Sequence, residues 1–375
     1  MNITLQWIDV VLFIGICQGI FLSLTLQRIS HNNRSANRIL SYLIALATVM
    51  LMGRFVYFRF LTLWVFQWSL LVDAIVFLFG PFTYMYIKRL LFKGNSSFWL
   101  PKIHFVPFFG MALMALLFII KDTPETYYQY FLHGNLLLYF KVISALMILF
   151  NTYYVVKSFQ LVSAFKKTEK EVFSFRQTPV TYLRFFLVSV FICLLAWTCS
   201  EVNSVLFQNS LPYVSYDSIW VAIPVFIYVI GYFSLKQPEL FSIVEEKQKD
   251  LQKKERIPET EALLLQKKLD SLMHNEKVFL QNDLTLADVA DRLQTSTNNL
   301  SWLLNQVYKT TFYDFINAHR VQEFIKKVEN QEHLKHTILA LSMDVGFNSK
   351  STFNKAFKET MRDTPSNYIK KHRAA

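Results

Sequence analysis

Seven long apolar stretches before Leu235 constrain the fold of this chain more than any other feature of its sequence. Each is roughly 17 to 25 residues long, the length at which an α-helix crosses a lipid bilayer. They run approximately from Trp7 to Leu26, Ile39 to Phe58, Trp64 to Ile87, Trp99 to Ile120, Leu136 to Val156, Val180 to Ser200 and Ser218 to Leu235. With 53% hydrophobic residues, the 375-residue chain is too apolar for a soluble protein of its size. The sequence therefore predicts an all-α chain with a seven-span membrane domain over residues 1–235.

Two of these stretches need a separate argument. A signal peptide is the alternative for the first, but no Lys or Arg precedes it and no small-residue cleavage pattern follows, so we interpret it as a retained span. The third is interrupted by Gly80 and Pro81 and contains Asp73.

The basic residues of the short loops predict the orientation. Loops one, three and five carry Arg28, Arg34, Arg38, Lys88, Arg89, Lys93, Lys157, Lys166, Lys167, Lys170 and Arg176. The opposite side carries far fewer, such as Arg59 and Lys121. Because cytoplasmic loops are enriched in Lys and Arg, we expect the amino terminus outside and, after seven crossings, the carboxyl-terminal part in the cytoplasm.

A short helical pattern occurs twice in the last third of the chain, 53 residues apart. Leu300, Leu303, Leu304 and Val307 have the spacing of one buried helix face, and Phe353, Ala356, Phe357 and Thr360 repeat it. A second short helix with a small residue, Ala290 or Ser342, precedes each face, where two helices must cross closely. The repeat predicts two helix-turn-helix units, at about 285–309 and 337–362.

Turn and cap residues support both units. Thr285 and Asp288 predict a capping box, and Ser296 and Ser349 are placed to cap the second helix of each unit. Gly346 stands where the turn between the helices needs a left-handed backbone.

Residues 337–369 resemble the DNA-binding domain of AraC/XylS-type transcription regulators, and the first unit resembles it more loosely. The resemblance rests on Gly346, Phe347, Ser349, Phe353, Phe357, Thr364, Pro365 and Tyr368, with Asn317 and Arg320 matching the connecting helix. Gln294, Lys309 and Arg362 replace glycines of the family, at about 1 kcal/mol each if the left-handed geometry is kept. Phe324 replaces a preferred alanine, which predicts a repacked connecting helix.

The resemblance implies sequence-specific binding of double-stranded DNA, with the second helix of each unit in the major groove. The outward positions of the second unit are Lys350, Ser351, Asn354 and Lys355, with Lys358, Arg362 and Lys370 placed for the phosphate backbone. Those of the first unit are Thr297, Asn298, Asn299, Ser301, Trp302 and Asn305. Trp302 packing on the preceding connector, and ordinary solvated surface for the Asn cluster, are the alternatives. Residues 337–375 hold seven basic and three acidic residues against six and six in 285–336, so we expect the second unit to bind phosphate more strongly.

A charged linker over residues 236–258 joins the membrane domain to the DNA-binding domain, 259–375. Its mixed charges favour a solvated linker over a lipid contact. After it, Leu265, Leu269 and Leu272 form an apolar stripe that suits either the first helix-turn-helix unit or a second chain, which would make a homodimer.

Ionisable residues within the spans suggest where a signal binds, because charges in a bilayer are costly. Asp9, Arg54, Arg59, Asp73, Lys141 and Glu201 lie towards the outer ends of their spans. We predict an outward-opening pocket for a small polar or charged signal around Arg54, Arg59, Asp73 and Lys141, with Arg54 or Arg59 paired to Asp73. The alternative is that these charges extend to the lipid headgroups.

No nucleotide loop, kinase motif, nucleophile elbow or metal-ligand spacing occurs in the sequence, so we expect no enzyme, metal or cofactor. We predict a regulator anchored in a bacterial inner membrane, a one-component sensor of a small-molecule or envelope signal. Two alternatives are a transporter-like protein with an appended regulatory domain and a helix-turn-helix pair that binds protein.

Overall fold

The computed structural model describes residues 7–28, 34–93, 99–175, 179–207, 217–236, 243–244 and 258–374. Their regular elements are helices, apart from two strands of two residues each, Phe92–Lys93 and Ile243–Val244. The chain divides into two compact units: residues 1–163 with 178–242, and residues 164–177 with 243–375. Most of the predicted linker, residues 237–242 and 245–257, lies outside the described residues.

The first unit contains nine helices among the described residues. They are α1 Trp7–Arg28, α2 Arg34–Arg59, α3 Leu63–Asp73, α4 Val76–Leu91, α5 Val106–Lys121, α6 Pro124–Leu132, α7 Leu137–Val172, α8 Pro179–Leu206 and α9 Asp217–Lys236, and α7 continues into the second unit. A 3-10 turn, Lys102–Phe105, leads into α5.

Among the residues that the structure describes in this unit, six helical segments are long and apolar enough to cross a membrane. They correspond to the first six predicted stretches: 7–28, 34–59, 63–91, 102–121, 137–172 and 182–206. In the seventh, the apolar part found among the described residues, Trp220–Gly231, is shorter than a span. The seventh crossing therefore stays a prediction.

The third span continues through a tighter helical turn after Asp73. Ala74 and Ile75, between α3 and α4, keep helical dihedral angles, and the Ile75 N–H donates to the Val72 oxygen at 3.1 Å, as in a 3-10 turn. Gly80 and Pro81 lie inside α4, so the predicted interruption there is wrong. Gly80 instead allows close packing, because a Cβ on it would lie 2.7 Å from the Tyr154 ring of α7.

The second unit continues with α10 Glu259–Ser271, α11 Leu286–Arg292, α12 Thr297–Gln306, α13 Phe312–Glu329, α14 Ile338–Asp344, α15 Lys350–Met361 and α16 Pro365–Ala374. A π-turn, Leu272–Glu276, and 3-10 turns at Val278–Leu280 and Glu332–Leu334 complete it.

Two hydrophobic cores share the long helix α13. Its first half, with Phe312 and Ile316, packs into a core with α10, α11 and α12. Its second half, with Phe324, packs into a core with α14, α15 and α16. Phe324 contacts the rings of Phe353 and Phe357, at centroid distances of 4.7 and 5.8 Å. The aromatic side chain at position 324 is therefore part of the second core.

The leucine stripe of the connector packs within its own domain. Leu265, Leu269 and Leu272 are all buried in the first core. This is the first of the two predicted alternatives, and it leaves the homodimer hypothesis without the stripe on which it rested.

The repeated faces are each one residue shorter than predicted. The first three residues of each set are buried, but Val307 and Thr360 are exposed, so their predicted burial is wrong. Val307 is already the residue that ends α12, and Thr360 lies in the last turn of α15. At a helix end the neighbouring helix no longer covers the face.

Candidate nucleic-acid interface

The two helix pairs are built on the same local hydrogen bonds. Thr285 and Asp288 form the predicted capping box of α11, and Thr337 caps α14 through the Ala340 amide. Ser296 and Ser349 cap α12 and α15, by accepting hydrogen bonds from the amides of Asn299 and Thr352. These side chains satisfy amides that a helix start leaves without partners, and they fix where each second helix begins.

Both turns between the helices are left-handed. Gln294 has φ of 54° and Gly346 has φ of 97°. The next amide in each turn donates back to the carbonyl of the small residue at the helix crossing: Thr295 to Ala290 at 3.0 Å and Phe347 to Ser342 at 3.1 Å. The first helix-turn-helix unit therefore has the same left-handed turn with Gln294 as the second unit has with Gly346.

The residues that follow α12 and α15 are left-handed as well. Lys309 has φ of 54° and Arg362 has φ of 57°. The backbone is thus left-handed at all three positions where the resemblance to the AraC/XylS-type domain leads us to expect glycine.

The second helix-turn-helix unit exposes one polar face of α15. Lys350, Ser351, Asn354, Lys355, Lys358 and Arg362 are all exposed, and so is Lys370 on α16. The opposite face, Phe353, Ala356 and Phe357, is buried in the second core. This face carries four cations, and Glu359 lies 3.5 Å from the Lys355 ammonium. Asp363 is balanced by Lys371 at 2.7 Å, and this contact lowers the pKa of the Asp363 carboxyl.

The first helix-turn-helix unit exposes fewer of the residues predicted to contact DNA. Asn305 is exposed, whereas Thr297, Asn298 and Asn299 are half-buried. Ser301 is only 9% exposed, and its Oγ accepts a hydrogen bond from the side-chain Nδ2 of Asn305. Its predicted outward position is therefore wrong. Trp302 packs against the first core. The outward surface is narrow because α12 packs against α10 as well as against α11 and α13.

A buried arginine lies on α13, the helix that connects the two helix-turn-helix units. Arg320, 1% exposed, donates from Nε to the Phe279 oxygen at 2.6 Å and from the Nη2 nitrogen to the Gln281 oxygen at 2.6 Å. Its remaining hydrogen bonds go to Asn317 Oδ1 and to the oxygen and Oγ of Ser174. Burial lowers the pKa of Arg320 to about 10. Sequence reasoning identified Asn317 and Arg320 but missed Ser174.

The first unit of the chain contains a cavity of about 640 Å³ that three of the four predicted pocket residues line. Arg54, Asp73 and Lys141 line it together with Glu201 and Trp220. Arg59 does not, because it pairs with Asp9. The Arg54 guanidinium carbon lies 4.1 Å from the Phe58 ring centre and 5.2 Å from that of Trp220.

Residues 289–371 match the family model of a helix-turn-helix domain of the AraC type. The matched range begins within α11 and ends within α16, so it includes both second helices. No curated protein and no solved structure matched the chain. The carboxyl-terminal domain is thus of the type found in DNA-binding transcription regulators. The described part of the same chain also contains six helical segments long and apolar enough to cross a membrane.

Proposed function

We propose that this chain is a membrane-anchored, sequence-specific transcription regulator that senses a signal at or within the bilayer. The observation that carries the proposal is the exposed face of α15, a capped helix of a helix-turn-helix domain in a chain with membrane-length helices. Ser351 and Asn354 lie on its amino-terminal part, which reaches base edges in this type of domain, and Asn can bind adenine through two hydrogen bonds. Lys355, Lys358 and Arg362 supply the phosphate contacts.

Chromatin immunoprecipitation with sequencing of the full chain tests DNA binding. We expect enrichment at a small set of promoters that share a sequence motif. A helix-turn-helix pair that binds protein would give no shared motif, and that result would reject the proposal.

Lys355→Ala then tests the surface itself. On a promoter found in this way, we expect weaker binding and a salt dependence less steep by about 0.9 in log Kd against log salt, the effect of one phosphate contact. Lys268→Ala removes the same charge from an exposed position of α10 and serves as the matched control. Equal salt slopes for the two variants would contradict the assignment of α15.

A contact within the compact unit formed by residues 164–177 and 243–375 supports seven membrane crossings. Ser174 follows α7 and is hydrogen-bonded to Leu284 of the DNA-binding domain, so both lie on the same side of the membrane. The chain must then cross an even number of times between them. Because α8 is long enough for one crossing, α9 supplies the second, which gives seven in total. A reporter fused to the carboxyl terminus is expected in the cytoplasm, and a periplasmic reporter would refute this topology.

The cavity of the membrane unit is our candidate for the signal site. It places two cations, Arg54 and Lys141, and two carboxylates, Asp73 and Glu201, beside aromatic walls that include Trp220. This lining suits a small polar or charged molecule with an apolar part. A signal acts only if it binds two conformations with different affinity, and the 3-10 turn that follows Asp73 in the cavity lining is an element that can differ between them.

Asp73→Asn tests the cavity. We expect normal membrane insertion but altered occupancy of the regulated promoters, whereas Asp122→Asn, at the end of α5 and outside the cavity lining, leaves occupancy unchanged. Wild-type regulation in the Asp73 variant would remove this residue from the signal site.

A transporter with a regulatory domain is the second candidate, and the charged cavity that includes Asp73, at the 3-10 turn between α3 and α4, favours it. Transporters often bind their substrates at polar sites where a spanning helix departs from regular α geometry. Solute uptake into vesicles that contain the full chain, above that of empty vesicles, would support this alternative.

A further inference from the structure

The carboxyl-terminal end of α7 is part of the DNA-binding unit. α7 has 36 residues, whereas about 20 cross a bilayer, and it belongs to the first unit up to residue 163 and to the second from residue 164. We call residues 164–175 the α7 arm. At 1.5 Å per residue the helix is about 54 Å long, so it extends well beyond the hydrocarbon core.

The tip of the α7 arm pairs with the segment that enters the first helix-turn-helix unit. Phe173 forms an antiparallel bridge with Thr285. The Ser174 amide donates to the Leu284 oxygen at 3.2 Å, and Ser174 Oγ donates to the same oxygen at 2.7 Å. Phe173, Ser174 and Phe175 are all buried. Such contacts, made to the residue that caps α11 and to its neighbour, fix the arm at the start of the unit.

Ser174 also completes the hydrogen bonding of Arg320. A guanidinium has five N–H donors and, when buried, needs an acceptor for each. Arg320 makes five hydrogen bonds, two of them to Ser174: to the oxygen at 3.2 Å and to Oγ at 3.1 Å. Asn317 Nδ2 donates to the same Ser174 oxygen at 3.2 Å. The arm thus supplies two acceptors, the Ser174 oxygen and Oγ, to buried donors of Asn317 and Arg320 on α13.

A third contact lies on the side of the arm. The Lys170 ammonium is 3.6 Å from Asp314 Oδ2 and 5.6 Å from the centre of the Tyr313 ring, both on α13. α13 is the helix that both cores share. The arm is therefore attached to the element that sets the position of one helix-turn-helix unit relative to the other.

We propose that the α7 arm is an integral part of the DNA-binding domain and the route by which span α7 acts on the two helix-turn-helix units. The second half of this statement rests on the proposed function. Because α7 is one continuous helix up to Val172, a shift or rotation of the span moves Lys170 with it and pulls on Ser174, two residues after its end. The hydrogen bonds to Arg320 and Leu284 have lengths close to 3 Å and weaken steeply when misaligned, so a shift of the arm by about 1 to 2 Å loosens α13.

Crosslinking in the full chain in membranes tests the docking. Cys17, Cys193 and Cys199 are first replaced by alanine, and Lys170→Cys is combined with Asp314→Cys. We expect a short bis-maleimide to give an intramolecular crosslink that mass spectrometry of the peptides detects. Thr168→Cys with Asp314→Cys is the matched control, because residues 168 and 170 point about 200° apart on a helix. No crosslink above this control would overturn the proposal.

A charge exchange tests the coupling. Lys170→Glu places two carboxylates together, so we expect hydrogen exchange of α13 and α15 amides to become about two- to fivefold faster, the range for a partly exposed pair. Lys170→Glu with Asp314→Lys is expected to restore the wild-type rate. Ser174→Ala, which removes the Oγ that binds both Arg320 and Leu284, should accelerate the same amides more strongly.

These measurements use the full chain in nanodiscs without DNA, so they are independent of promoter binding. A chain that crosslinks and responds to Lys170→Glu but enriches no promoter would leave the arm in place and refute the regulator. A chain that enriches promoters but whose α13 and α15 exchange is unchanged in both Lys170→Glu and Ser174→Ala would refute the route through α7.

Discussion

The turn at Gly346 allows the most direct test of the fold, through Gly346→Ala. Gly346 has φ of 97°, and a Cβ there would lie 2.7 Å from the Leu280 oxygen and 2.8 Å from the Phe279 oxygen. It would also approach Arg320 Nε to 2.9 Å, and this nitrogen donates to the Phe279 oxygen. A methyl group would therefore meet two backbone carbonyls and an arginine that is held in place by hydrogen bonds.

Two costs add at this position. The left-handed backbone costs an L-residue about 1 to 2 kcal/mol, and an additional carbon in a packed site costs about 1 to 3 kcal/mol. We therefore expect the free energy of unfolding of the second helix-turn-helix unit to fall by about 2 to 5 kcal/mol. At about 1.4 kcal/mol for each factor of ten, amides of α14 and α15 that exchange by opening of this unit become at least about 30-fold faster. Hydrogen exchange mass spectrometry of the full chain in nanodiscs measures this change.

Gln294→Ala is the matched control, because it gives the equivalent turn of the first unit the same side chain. Gln294 already carries a Cβ at φ of 54° and is exposed, so we expect a change within about 0.5 kcal/mol. The reasoning is wrong if Gly346→Ala exchanges within twofold of the wild type, or if the two alanine variants loosen their units equally.

Two further predictions concern the first core. Leu269→Ala removes a side chain that is 1% exposed and should lower the free energy of unfolding of this core by about 2 to 5 kcal/mol. Leu264→Ala, at a side chain on the same helix that is 56% exposed, should change it by no more than about 0.5 kcal/mol. Chemical denaturation of the two variants, monitored by hydrogen exchange, measures both changes. Burial between the rings of Phe279 and Phe315 lowers the pKa of His319 below its usual 6.5, so the unfolded chain binds the proton more readily. This contribution to stability is complete above pH 6.5 and is lost as the pH falls through the lowered folded-state pKa; His319→Gln should flatten the loss between about pH 7 and 5, and an unchanged pH profile would contradict the assignment.

Local features of the DNA-binding domain could be predicted from the sequence because they depend on neighbouring residues. The caps at Thr285, Ser296 and Ser349 need only a side chain that accepts from an amide three residues later. The left-handed turn at Gln294 forms without glycine because the helices on either side define it, and the cores they bury outweigh about 1 kcal/mol of local strain.

Features that depend on distant contacts could not be predicted. Ser174 is separated from Asn317 by 143 residues, and no periodicity connects a loop after a span with a helix of the DNA-binding domain. The sequence predicts an interruption at Gly80, but this glycine instead allows α4 to contact Tyr154 of α7, a residue far away along the chain. Ser301 was expected to face outwards because helical spacing does not show that α10 also covers α12.

The charge distribution decides which helix can carry most of the DNA affinity. Residues 285–336 are neutral, with six basic and six acidic residues, and Trp302 and Ser301 are turned towards the core or buried. The excess of cations over carboxylates therefore lies on α15 and the residues that follow it, where Glu359 and Asp363 each pair with one lysine. Because the domain is held through α13 by the α7 arm, a change at the arm alters the position of α12 relative to α15 rather than the charge of either. We therefore expect a signal to change which promoters are bound much more than it changes the salt dependence of binding, which the cations of α15 and of the residues after it set.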